Sequence, residues 1–160
     1  MTIPAKSVMT KDLVTVSPET TVAESARRML THHVSAVPVV DTNNQPLGLV
    51  SEGDVMRHFS AQFQSKRAQW LRMLAEGEKL APEFLAEIRL NQHQVLEIMH
   101  TAIISANEEA SLAELADLML KHGIKRVPIL RDGVLVGMVS RADVVRAVVE
   151  NLDDLLEPTD

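Results

Sequence analysis

Leu47 to Arg57 read LGLVSEGDVMR, and Val134 to Arg146 read VLVGMVSRADVVR. Each is a short apolar run that passes straight into Ser-x-x-Asp, the signature of a buried strand feeding a helix N-terminus. Two copies of one junction make duplication the first reading to test, because an internal repeat decides the fold class. Shifted by about ninety positions, Met9 falls on Met99, Ala23-Glu24 on Ala113-Glu114, Met29-Leu30 on Met119-Leu120, and Val37-Pro38 on Val127-Pro128. One residue is dropped in a turn, after which Gly48, Val50, Ser51 and Asp54 fall on Gly137, Val139, Ser140 and Asp143.

Each copy predicts strand, helix, strand, strand, helix. Met1 to Lys11 reads as an irregular lead-in and Leu13 to Val16 as a strand bounded by Ser17-Pro18. Thr21 with Glu24 forms a capping box that opens a helix with Val22, Ala26, Met29 and Leu30 on its apolar face and Arg27 and Arg28 off it. His32 and His33 fall in its last turn, where an imidazole suits the dipole. Val34 to Val40 is a β-branched buried strand, Asp41 to Pro46 a turn, Leu47 to Val50 the returning strand, and Ser51 begins a helix. The second copy runs Ala102 to Ala106 (strand), Ser111 with Glu114 (cap), Leu112, Leu115, Ala116 and Met119 (apolar face), Ile124 to Leu130 (strand), Asp132-Gly133 (turn), Val134 to Val139 (strand), and a helix from Ser140 to about Glu150.

Residues 59–97 depart from plain duplication. Phe59, Phe63, Trp70, Leu71 and Leu74 extend the helix begun at Ser51. Gly77 interrupts, Pro82 suits a first helical turn, and Phe84, Leu85, Ile88 and Val95 mark another helix. The segment reads either as a helical connector packed on its own module or as a surface for self-association or a partner. The expected organisation is repeat 1 over 3–58, a helical insert over 59–97, repeat 2 over 98–150, and an acidic tail over 151–160 that frays.

Composition excludes several classes. A 46% apolar fraction supplies a core, and 2% aromatic makes it aliphatic. The net charge of −6 argues against a generic nucleic-acid binder. With no cysteine there is neither a disulfide framework nor a thiolate metal site, in keeping with a reducing cytoplasm. The N-terminus is not a signal peptide, and no apolar run approaches the roughly 20 residues of a membrane span.

Val34-Ser35-Ala36-Val37-Pro38-Val39-Val40 with Gly48-Leu49-Val50-Ser51 and Asp54, echoed by Ile124-Lys125-Arg126-Val127-Pro128-Ile129-Leu130 with Gly137-Met138-Val139-Ser140 and Asp143, resembles the cystathionine-β-synthase (CBS) domain pair, or Bateman module. The resemblance covers roughly residues 3–58 and 96–150, and the central insert is longer than the usual link. It implies an α/β (α+β) fold of two pseudo-symmetric β-α-β-β-α repeats packed through their sheets, with additional helices between them. It also implies a regulatory sensor of adenine nucleotides (AMP, ADP or ATP), or in some members S-adenosylmethionine or dinucleotides such as NAD. The resemblance further implies a flat homodimer, and, as no separate catalytic, transport or DNA-binding domain is read in these residues, the expected target of regulation is an unidentified partner protein.

The junction chemistry fits such a ligand. A helix N-terminus favours phosphate, a serine hydroxyl there can donate to phosphate or ribose, and an aspartate can accept from both hydroxyls of a diol. Gly48 and Gly137 stand where a side chain would crowd a ligand. Ser-x-x-Asp is also an ordinary cap, but the first helices use glutamate and the second ones aspartate, which points beyond capping. By analogy with the family, site A pairs Ser140 and Asp143 with the backbone of Val34, Ser35 and Ala36, aided by Lys125, Arg126 and Arg141, with Thr10 bordering the ligand. Site B pairs Ser51 and Asp54 with Ile124, Lys125 and Arg126. Its equivalents of Lys125, Arg126 and Arg141 are Ser35, Ala36 and Glu52, so it is the weaker site for an anion. His32, His33, His100 and His122 are the available acid–base groups, but His32 and His122 are repeat equivalents at helix ends, and no HExxH, GxSxG or P-loop occurs. The chain is therefore read as a non-enzyme with no catalytic cofactor, no metal, no nucleic acid and no membrane partner. A ligand-free dimerisation or protein-interaction module is the alternative.

Overall fold

The computed structural model describes residues 2–75 and 93–156. The chain is a mixed α/β fold of two compact units, and their boundaries interleave along the sequence. One unit comprises the chain up to Leu13, Asn43–Pro46, and the chain from Ala102; the other comprises Val14–Thr42 and Leu47–Thr101.

The first-repeat unit is built on α2 (Val22–His32), the two-stranded sheet β1 (Ala36–Val40) with β2 (Pro46–Ser51), and the long helix α3 (Glu52–Ala75). A one-turn helix, α1 (Ala5–Val8), precedes them in the chain and belongs to the other unit. Val16, Met29, Val37, Val39, Val50 and Val95 form the first-repeat core. The second-repeat unit has β3 (Ala106–Asn107), β4 (Arg126–Arg131) and β5 (Val134–Ser140) in the order β3-β4-β5, with α4 (Leu112–His122), α5 (Arg141–Glu150) and α6 (Leu152–Leu156). Its core is Leu112, Leu115, Met119, Val127, Ile129, Val139, Val144 and Ala147, closed by Ala5 of α1. Burying each large aliphatic of this kind contributes about 1.5–3 kcal/mol.

The first strand of each repeat is far shorter than the sequence predicts, and proline is the reason. Val16 alone pairs with β1, donating to the Pro38 carbonyl at 3.0 Å and accepting from Val40 at 2.9 Å. Extending the ladder upstream requires an N–H from Pro38, and extending it downstream requires one from Pro18; neither residue has it. In the second repeat Pro128 blocks the upstream bond in the same way, so Ala102–Ala106 does not form the expected strand. Downstream, Glu108 stands where Pro18 does, and its N–H reaches the Leu130 carbonyl at 3.2 Å. The ladder there gains a residue, with Ala106 opposite Ile129 and Asn107 opposite Leu130. β1 likewise starts at Ala36 rather than Val34.

The hairpin between β4 and β5 turns on Asp132 (φ 51) and Gly133 (φ 77), the two positive φ values that a two-residue type I′ turn requires. Helix α4 opens on a reciprocal capping box: Glu114 N–H donates to Ser111 Oγ, and Ser111 N–H donates to the Glu114 carboxylate, both at 3.1 Å. The box expected at Thr21 is only half made. Thr21 Oγ1 accepts from Glu24 N–H, but the Glu24 carboxylate turns to Arg27 and Arg28 instead. The inward stripe of α2 is Val22, Ser25 and Met29, not the expected set with Leu30, which is 73% exposed; its equivalent Leu120 is 77% exposed. Ser25 is tolerated inside because its hydroxyl donates to the Val22 carbonyl at 2.7 Å. His33 lies beyond the last turn, in the left-handed region at φ 54.

The lead-in is not irregular. Ala5 of α1 is fully buried and donates its N–H to the Ala110 carbonyl at 2.7 Å. Its repeat equivalent, Val95, opens the 3₁₀ turn Val95–Glu97, is fully buried in the first-repeat core, and donates to the Thr20 carbonyl at 2.8 Å. Each unit is thus completed by the segment that precedes the other repeat in sequence. Helix α3 continues unbroken to Ala75 through Phe59, Phe63, Trp70, Leu71 and Leu74. Gly77, Pro82, Phe84, Leu85 and Ile88 lie outside the described residues.

Candidate functional site

Both Ser-x-x-Asp junctions are reciprocal caps. Asp143 N–H donates to Ser140 Oγ at 3.2 Å, and Ser140 N–H donates to Asp143 Oδ2 at 2.8 Å. At the first junction the corresponding distances are 3.3 Å for Asp54 N–H to Ser51 Oγ and 2.8 Å for Ser51 N–H to Asp54 Oδ2. The expectation that aspartate, unlike glutamate, signals something other than capping is therefore corrected. At this strand-to-helix turn the shorter acid reaches the cap N–H as well as Glu114 does at Ser111.

What remains of each carboxylate after capping differs. An ionised carboxylate offers about four acceptor sites. Among the described residues Asp54 accepts three hydrogen bonds, from Ser51 N–H at 2.8 Å and Ser51 Oγ–H at 3.0 Å on Oδ2 and from Arg57 at 2.6 Å on Oδ1, and His100 Nε2 lies 2.5 Å from Oδ1. Asp143 receives two: Ser140 N–H on Oδ2 and Arg146 at 3.3 Å on Oδ1. The Asp54 side chain is 3% exposed and that of Asp143 14%. Burial pushes the Asp54 carboxyl up, but the Ser51 N–H, Arg57, the Ser51 hydroxyl and His100 together outweigh it and hold the group below the ordinary aspartate value. Arg57 and Arg146 are repeat equivalents at the i+3 position of each helix. That Asp-x-x-Arg spacing stands in the sequence in both copies and was open to being read there.

Cations gather at the second junction. In the β4–β5 ladder Arg126 stands opposite Ser140. Lys125 is exposed, and its carbonyl accepts Arg141 N–H at 2.9 Å, while the Arg141 guanidinium donates to the Ile124 carbonyl at 3.0 Å. The first junction repeats the backbone bond with neutral and acidic residues: Glu52 N–H donates to the Ser35 carbonyl at 2.9 Å. That bond occupies the Ser35 carbonyl, one of the groups expected to edge-bond an adenine. Val34 is half-buried and Ala36 lies within the core of the first-repeat unit. Thr10 is exposed and held by backbone bonds to Met138 at 2.9 and 3.1 Å.

Gly48 and Gly137 do not serve to admit a ligand, as the sequence suggests. A Cβ on Gly48 would lie 2.7 Å from Met99 Sδ and 2.8 Å from the His100 carbonyl oxygen, and one on Gly137 would lie 2.7 Å from Met9 Cγ. The space is taken by the repeat-equivalent methionines of the two lead-in segments. His32 and His122 end α2 and α4. Among the described residues no cluster of three or more metal-ligating side chains is assembled, and no helix is long and apolar enough to cross a membrane.

Two repeats of one strand-and-helix unit, each ending in a capped Ser-x-x-Asp junction, define a CBS-type module. The chain belongs to the CBS domain family, whose model matches residues 5–61 and 95–150. It is 33% identical over 138 residues to the CBS domain-containing protein YhcV of Bacillus subtilis, covering 86% of this chain and 80% of that one. It spans 31%, 59% and 62% of the length of three further relatives. A putative acetoin utilization protein (AcuB) from Vibrio cholerae superposes with a TM-score of 0.75 at 25% identity, covering 98% of this chain and 99% of that one. CBSX2, solved in complex with AMP, superposes with a TM-score of 0.67 at 22% identity, covering 92% and 96%.

Proposed function

We propose that this protein is a regulatory sensor of adenine nucleotides, binding AMP, ADP, ATP or a related adenosyl ligand at the Ser140–Asp143 junction and passing its state to a partner protein in the cytoplasm. One observation carries the reading: among the described residues the Asp143 carboxylate accepts from Ser140 N–H and Arg146, which leaves about two acceptor sites, the number a ribose diol fills. The positive charge of Lys125, Arg126 and Arg141, carried on the strand and turn that adjoin Ser140, supports a phosphate-bearing ligand there. The AMP held by CBSX2 supports the choice of ligand class. In this reading Thr10 borders the Ser140–Asp143 site, and no catalytic step is assigned.

A thermal-shift screen with AMP, ADP, ATP, NAD and S-adenosylmethionine tests it. A ligand at a hundred times its dissociation constant adds about 2.7 kcal/mol to the folded state. A panel that leaves the melting temperature unchanged overturns the reading.

A ligand-free interaction module is the second reading, and a separate observation favours it. Repeat-equivalent apolar side chains stand in solvent in both units: Leu30 and Leu120, Met56 and Val145. Such paired faces suit a homodimer. A Leu120→Arg substitution that converts a dimer to a monomer in light scattering, with no nucleotide-induced shift in either form, selects this reading.

A further inference from the structure

We propose that His100 closes the first junction to nucleotide, so that the chain takes one adenine nucleotide, at Ser140–Asp143, rather than two. The inference rests on the sensor reading and goes beyond it by naming the residue that makes two duplicated junctions unequal. His100 is the repeat equivalent of Thr10, and the two are presented by the same backbone frame. Thr10 exchanges N–H···O bonds with Met138 at 2.9 and 3.1 Å, and His100 exchanges them with Leu49 at 3.0 and 2.9 Å. Met138 and Leu49 are themselves equivalent.

From one frame a threonine leaves Asp143 alone: among the described residues its partners are Ser140 and Arg146. From the other, the histidine side chain reaches across to Asp54 Oδ1 at 2.5 Å. With Ser51 and Arg57 already bonded to the carboxylate, the imidazole is a further group set against Oδ1 and stands where a ribose hydroxyl would have to approach. A ribose hydroxyl at Asp54 must displace the 2.5 Å His100 contact on a nearly buried carboxylate. Among the described residues no such contact stands on Asp143, where the Arg146 contact on Oδ1 is 3.3 Å long. Arg57 and Arg146 are common to both junctions, so they do not create the difference. Glu52 in place of Arg141 reduces the attraction for phosphate at the first junction but touches neither carboxylate oxygen of Asp54. The added contact on Asp54 Oδ1 is therefore His100's own contribution.

Calorimetric titration of the full chain with AMP, alongside thermal melts, tests the assignment with reciprocal variants. The wild type is expected to take up one AMP per chain. His100→Thr, which installs the residue already carried at the equivalent position, is expected to take up two, and His100→Thr with Asp54→Ala is expected to return to one. Thr10→His, the converse change, is expected to weaken AMP binding at Ser140–Asp143 by at least about 10-fold by setting an imidazole against Asp143 as His100 is set against Asp54. A folded His100→Thr protein that still binds one AMP overturns the role of His100 while leaving the sensor reading intact. Two AMP per wild-type chain does the same, as does an undiminished affinity in Thr10→His. No AMP uptake by the wild type or by His100→Thr overturns both.

Discussion

Met9 lies against Gly137 so closely that the glycine has no room for a β-carbon. Met99 lies in the same way over Gly48. The two contacts show how the lead-in segments are seated: each methionine occupies the space that a side chain on the strand would take.

Adding a methyl group at either glycine overpacks the contact, at a cost of about 1–3 kcal/mol. The two positions are expected to differ. At Gly137 the crowding atoms belong to the flexible Met9 side chain, so Met9→Ala should relieve Gly137→Ala. At Gly48 one crowding atom is the His100 carbonyl oxygen, which cannot rotate away, so Met99→Ala should relieve Gly48→Ala only in part. Urea denaturation of the four single variants and two doubles measures both couplings.

His33 and Gly123 occupy equivalent helix ends in the left-handed conformation, at φ 54 and φ 62. Glycine has no β-carbon to clash there, and histidine does. Replacing His33 with glycine should raise stability by roughly 1 kcal/mol, the scale of the left-handed penalty for a residue with a side chain. Gly123→Ala should lower it by a similar amount. Thermal melts of both proteins provide the check.

Asp143 and Asp54 should separate binding from capping. Either change to alanine removes a cap, worth about 1 kcal/mol. Asp143→Ala should also weaken AMP binding by roughly 10- to 150-fold, the loss of a charge-assisted bond pair. Asp54→Ala should leave AMP affinity unchanged. Equal affinity losses in titrations of the two variants would contradict the assignment of the site to the second junction.

His58 sets a pH dependence of stability. Its ring meets that of His93 edge to face at 4.7 Å, and its Nε2 is buried without a hydrogen-bond partner among the described residues. Burial and then the His93 imidazole push it below the ordinary histidine value of 6.5, while Glu97, paired with His93 at 3.5 Å, pulls the other way. Above that value both folded and unfolded chains hold the ring neutral. As the pH falls through it the unfolded chain takes up the proton first, so stability declines until the folded value is passed. His58→Leu should flatten the decline measured by denaturation between about pH 7 and 5. Asp54 acts lower on the scale. Held below the ordinary aspartate value of 3.8, it contributes stability present above that value and lost as the pH falls through its folded value.

The duplication, the order of the elements and the family were legible in the residues, because strand and helix periodicity and the Ser-x-x-Asp spacing are local patterns that survive in one dimension. So was the charge difference between the junctions, which is a matter of Lys125, Arg126 and Arg141 against Ser35, Ala36 and Glu52. Other features depended on where backbone groups meet. The ladders stopped short because Pro18, Pro38 and Pro128 have no N–H at the point of pairing, which depends on register. Leu30 faces solvent and Ser25 the core because the neighbouring elements fix the rotation of α2. Ala5 lay in a segment read as irregular and Val95 in one read as a longer helix, and both became core residues when the segments that carry them crossed to the opposite units. His100 came within 2.5 Å of Asp54 by the same crossing. The sequence determined what each repeat is made of, since that information lies within a few residues. Tertiary structure alone decided which segment completes which repeat, because burying an apolar side chain and pairing a carboxylate depend on distance in space rather than along the chain.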